Sequence, residues 1–114
     1  MESFDIRARG SHISISPQKV RAVLGLVRGR NAAEAIDILK FTPKGASLPV
    51  RKLIESALAN AEENFGVSRK DLYIYRIFAD EAPTRKWRRF GARGRFKPLL
   101  RRASHITVIL REKE

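Results

Sequence analysis

TRKWRRFGARGRFKPLLRR, residues 84–102, decides the architecture. Nine of these residues are Arg or Lys, none is acidic, and two glycines, a Trp and two Phe are interleaved. Upstream, LYIYRIFADEA (72–82) is rich in β-branched and aromatic residues and reads as a strand. Downstream, ASHITVILR (103–111) reads the same way, with Ile106, Val108 and Leu110 facing together. A basic stretch between two strands is the outer part of a hairpin, neither a terminal tail nor a helix face. Gly91 and Gly94 lie at its centre, where the chain must reverse and positive φ is cheap for Gly. Each leg has about ten residues, a reach of roughly 30 Å. A lone two-stranded ribbon is marginal in water, so such an arm is expected to take its order from a polyanion.

Charge is distributed to match. The 114 residues carry 24 basic and 12 acidic side chains, net +12. Residues 1–30 are net +4, 31–84 net −1, 85–102 net +9, and 103–114 neutral. The middle resembles an ordinary globular domain, with cations concentrated towards both ends. Such a pattern predicts a polyanion partner, nucleic acid before an anionic membrane surface. An apolar fraction of 43% argues against wholesale disorder. No apolar run is long enough to cross a bilayer, and MESFDIRARG has no apolar signal core, so no membrane partner and no secretion are expected. Zero cysteines exclude disulfides and thiolate metal sites.

Working further outward, FDIRARGSHISI (4–15) alternates loosely and reads as a strand carrying Arg7 and Arg9. A helix follows, with Ser16 as cap, Pro17 at its first position and Gly29 after its last turn. Val20, Val23, Leu24 and Val27 form its apolar face. Asn31 and Glu34 suggest a capping pair for a second helix over 32–40. A third reaches about Asn64, its proper start or a kink near Pro49, with Val50, Leu53, Ile54, Ala57, Leu58 and Ala61 buried and Gly66 stopping it. The chain reads as a single domain over 1–114, with a globular part at about 1–80 and 103–114 and the arm at about 81–102.

Other site readings are weaker. Gly91-Ala92-Arg93-Gly94 matches the GxxG loop of KH domains, but that loop joins helices, not strands. His12 and His105 have no cysteine to complete a metal site, and neighbouring carboxylates such as Asp80-Glu81 point apart on a strand. With no phosphate-binding glycine loop and no credible nucleophile set, neither an enzyme nor a cofactor is expected. Trp87, Phe90 and Phe96 among the arginines suit base stacking or packing within RNA.

SPQKVR (16–21), LVRGR (26–30), ESALANAEEN (55–64), FADEAPTRK (78–86) and ARGR…RRASHITVIL (92–95, 101–110) resemble, in order, the "L twenty-two" family of large-subunit ribosomal proteins, in its bacterial form. The resemblance implies an α+β fold, three helices packed on a three-stranded antiparallel sheet, with a long protruding β-hairpin. It implies a cytoplasmic, structural constituent of the large ribosomal subunit that binds large-subunit ribosomal RNA and supports assembly. The hairpin tip would line the nascent-peptide exit tunnel. Partners would be that RNA, neighbouring large-subunit ribosomal proteins and the nascent peptide, with no homo-oligomer. The alternative is a general RNA- or nucleoid-binding protein that coats polyanions.

Carried onto this chain, Ser16, Lys19, Arg21, Arg28 and Arg30 match the RNA-facing N-terminal motifs, and Arg101, Arg102, Ser104 and His105 match the return strand. Arg7, Arg9, Arg85, Lys86, Arg88, Arg89, Arg93, Arg95 and Lys97 complete the expected RNA-binding set. The tunnel-lining tip would be Trp87, Arg88, Arg89, Phe90, Gly91, Ala92, Arg93 and Gly94. The family usually places Pro-Arg before the small residue of the tip. Here Phe90-Gly91 precede Ala92, leaving Arg88, Arg89 or Arg93 as the nearest cation.

Overall fold

A computed structural model describes residues 5–83, 85–90 and 96–112, with only the backbone described for His12 and for 85–90 and 96–101. In chain order come β1 (Ile6–Ile13), α1 (Pro17–Val27), α2 (Ala32–Lys40), α3 (Ser47–Phe65), a single 3₁₀ turn (Arg69–Asp71), β2 (Leu72–Glu81), β3 (Arg85–Phe90), β4 (Phe96–Arg101) and β5 (Ser104–Glu112). The core sheet is antiparallel with order β1-β5-β2, and β3 and β4 form a separate two-stranded ribbon. This is the expected α+β architecture, three helices on a three-stranded antiparallel sheet with a hairpin beyond it.

Local chemistry sets each helix. Pro17 opens α1, where its missing N–H costs nothing. Ser16 occupies the cap position, but its side chain makes no capping hydrogen bond; only its carbonyl accepts, from the Val20 N–H. Gly29, at φ +78°, makes the left-handed exit. Asn31 caps α2 by accepting from the Ala33 and Glu34 N–H groups. The reciprocal half of a capping box is not made: the Glu34 carboxylate takes the Arg30 guanidinium at 3.1 Å instead. Pro49 lies in the first turn of α3, so that helix needs no kink. Gly66, at φ +64°, ends it, and its N–H donates to the Ala61 carbonyl.

All three helices cover one face of the sheet. α1 lies along β2, α3 crosses β1 and β5, and α2 packs on α3. Val20, Val23, Leu24 and Val27 of α1 and Val50, Ile54, Ala57, Leu58 and Ala61 of α3 are fully buried against Ile74, Ile106, Val108 and Leu110. Leu53, the remaining residue of the α3 stripe, is also buried.

β2 contains a feature that its residue pattern conceals. Period-two alternation from Leu72 would send Ile74, Arg76 and Phe78 to the core. Instead the register against β5 steps between Ile74↔Leu110 and Arg76↔Ile109, leaving Tyr75 as an extra residue. This β-bulge resets the faces, so Leu72 and Ile74 before it and Ile77 and Ala79 after it are all buried. Arg76 and Phe78 emerge on the side away from the helices.

The exposed edge of β2 is also managed. The Arg21 guanidinium donates to the Ala79 carbonyl at 2.9 Å and the Arg28 guanidinium to the Ile77 carbonyl at 3.1 Å. Seven positions apart, on α1 and at its C-cap, both side chains meet the same strand edge. The Arg30 carbonyl accepts from the Ile74 N–H at 2.9 Å, and the Asn31 backbone bridges to Tyr73. Occupied edge groups leave less of a template for another strand.

Candidate nucleic-acid interface

β2 and β5 do not end at the core; their pairing is carried on by the ribbon. The Ala82 N–H donates to the Ala103 carbonyl, and the β3–β4 ladder then starts at Arg85↔Arg101. The outgoing strand takes one residue more than the returning strand across that join, where Pro83 has no N–H to give. From there the register runs through Arg89↔Lys97 to Phe90↔Phe96. Six of the twelve residues of β3 and β4 are Arg or Lys: Arg85, Lys86, Arg88, Arg89, Lys97 and Arg101. Arg85 with Arg101 and Arg89 with Lys97 set like charges at opposed register positions, which weakens the pairing of the ribbon. Trp87 and Phe90 are also on β3, whereas Gly91, Ala92, Arg93, Gly94 and Arg95 lie outside the described residues. At the base, Arg102 meets the Glu81 carboxylate at 3.4 Å.

The N-terminal cations divide into two groups. Arg7 and Arg9 are exposed on β1, on the sheet face without helices, and Lys19 is exposed on α1. Arg21 and Arg28 hold the β2 edge, and Arg30 spans the Leu26 carbonyl and the Glu34 carboxylate. These arginines therefore have structural partners within the chain, while their exposed surfaces still face solvent. Ser104 is fully buried, and its hydroxyl donates to the Ile15 carbonyl at 2.6 Å, tying β5 to the exit of β1. His105 is half-buried, opposite Asp80 in the register.

One cluster escaped the sequence reading. Arg111 of β5 lies 3.4 Å from the ring centroid of Tyr75 in the bulge and pairs with Asp5 at 2.6 Å. The hydrogen bond from the Arg111 guanidinium holds the Asp5 carboxyl below its ordinary pKa and raises that of Arg111. A carboxylate whose pKa is lowered by folding stabilises the fold above its unfolded pKa and loses that contribution as pH falls through the folded value. The melting advantage of the native chain over Asp5→Asn is therefore expected at pH 7 and should shrink once pH falls below 3.8. Melts across that range check it; a constant difference would contradict it.

The model of the family described as ribosomal protein L22p/L17e matches residues 8–111. The chain belongs to this family. Proteins named large ribosomal subunit protein uL22 from Thermoanaerobacter sp. (strain X514) and Thermoanaerobacter pseudethanolicus are each 48% identical over 110 residues, covering 96% of this chain and 99% of theirs. The protein of that name from Pediococcus pentosaceus is 46% identical over 108 residues, covering 95% of this chain and 92% of its own. The L22p/L17e family is one of structural ribosomal proteins rather than enzymes. Among the described residues no group of acidic or histidine side chains could hold a metal ion, and no helix is long and apolar enough to cross a membrane.

Proposed function

We propose that this chain is a structural component of the large ribosomal subunit, binding its RNA and supporting its assembly in the cytoplasm. The body, 1–80 and 103–114, and the arm, 81–102, act as a single domain. The tip, Trp87 to Gly94, lines the nascent-peptide exit tunnel, and neighbouring large-subunit proteins and the nascent peptide are its other partners. The observation that carries this reading is the ribbon continuing from β2 and β5, cationic at half of its described positions. A two-stranded projection with that charge cannot bury itself. It gains stability by entering a polyanion.

The mechanism is charge neutralisation combined with shape. Guanidinium groups meet phosphates bidentately, and each phosphate neutralised releases condensed counterions. Affinity of the full chain for large-subunit RNA should then fall by about three orders of magnitude between 50 and 200 mM salt if six or more phosphates are neutralised. Filter binding across that range tests the reading. An affinity indifferent to salt would overturn it.

A further inference from the structure

All three helices lie on one face of the sheet, and the residues of the opposite face form an ordered pattern. Across the three strands the register aligns Arg7 of β1, Ile109 of β5 and Arg76 of β2. The next outward-facing row is Arg9, Thr107 and Phe78. Arg7, Arg9 and Arg76 are exposed, and none forms an ion pair with a described residue. By strand spacing, Arg7 and Arg76 stand about 10 Å apart, and Arg9 is about 7 Å along from Arg7. Ile109 is only 6% exposed although no helix lies over it. Its register partners are Arg7 and Arg76, whose apolar stems can cover it while their charged ends stay in water.

The aromatic residues differ in availability. Arg111 occupies one face of the Tyr75 ring, and Tyr73 meets it edge-on at 6.4 Å between centroids. Phe78 is 38% exposed and has no ring partner among the described residues. A large apolar ring held in solvent beside guanidinium groups is where an unstacked base gains most. The carboxylates on this face offset its charge only in part: Asp5 pairs with Arg111 and also acts on Arg7, and Asp80 stands at the arm end opposite His105.

We infer that this sheet face is a second RNA-binding surface, taking a single-stranded segment with its phosphates on Arg7, Arg9 and Arg76 and one base stacked on Phe78. The inference rests on the RNA-binding reading of the chain and adds Arg76 and Phe78 to it, joined with Arg7 and Arg9 in one site on the body. Charge complementarity favours a polyanion, and the aromatic platform favours RNA over an acidic protein surface. Continuity supports the same occupant, because β2 and β5, which build the face, lead directly into β3 and β4. RNA lying along the arm reaches this face without crossing the helices.

The test uses the full chain with in vitro-transcribed large-subunit ribosomal RNA. The triple variant Arg7→Gln, Arg9→Gln, Arg76→Gln is expected to bind at least about tenfold more weakly and to lower the salt slope by about 2 to 3. Phe78→Ala should weaken binding about five- to a hundredfold without changing that slope, and Phe78→Trp should restore it. Native-like melting of each variant separates a binding defect from a folding one. A photoreactive phenylalanine analogue at position 78, in subunits assembled with the full chain, should crosslink to RNA. Crosslinking to a protein instead, or triple-variant binding equal to that of the native chain, would overturn the inference while leaving the arm reading intact. Failure of the native chain to bind the RNA would overturn both.

Discussion

Arg93→Glu combined with Arg95→Glu is expected to weaken binding of large-subunit RNA by about a hundredfold or more at low salt, with a shallower salt slope. Each substitution removes a cation that can meet a phosphate and places an anion there. In sequence the two positions fall between β3 and β4, and the buried residues of the body all come from other segments of the chain. Melting of the body should therefore move by no more than about 0.5 kcal/mol. Filter binding and thermal unfolding of the same preparations give the comparison. Parallel losses in both would mean that the arm is not separable from the body and that its charge serves folding.

The second large effect concerns the β2 bulge, and two single-residue deletions distinguish it. Deleting Tyr75 removes the extra residue and leaves Ile74 and Arg76 opposite Leu110 and Ile109, so Leu72, Ile74, Ile77 and Ala79 all keep their inward face. The loss is then the stacked contact with Arg111 together with local rearrangement, about 1 kcal/mol. Deleting Phe78 has no such repair. Either Asp80 moves opposite Ile106 in the core, or the bulge closes and Arg76 moves inward opposite Val108. Both registers bury an unpaired charge, which costs on the order of 4 kcal/mol or more. The expected outcome is a cooperative melt for the first deletion and severe destabilisation for the second. Equal damage from both would show that the bulge does not set the register.

The helices were legible because their signals are local. Pro17 and Gly29 bracket α1, Asn31 starts α2, Gly66 ends α3, and every apolar position assigned to the α1 and α3 stripes is buried. The arm was legible for a similar reason, since a cation-dense segment between two strand patterns has few other places to go. Strand order was not: nothing in FDIRARGSHISI says that it pairs with the last strand of the chain rather than with β2. Nor was the bulge, because LYIYRIF offers apolar residues to both faces and conceals the parity change at Tyr75. That change is what brings Arg76 and Phe78 onto one surface with Arg7 and Arg9. The internal partners of Arg21, Arg28 and Ser104 were likewise out of reach, since each depends on a contact made across at least 49 positions of sequence. A motif can mark such residues. Only the fold shows which carbonyl each one meets.

The most direct test is sedimentation of the endogenous protein through a sucrose gradient, with and without a high-salt wash. One copy is expected to stay on each large subunit after the wash, because an arm embedded in folded RNA is held by shape as well as charge. Loss on washing, or a spread across all RNA-containing fractions, would contradict it and leave a general polyanion binder in its place.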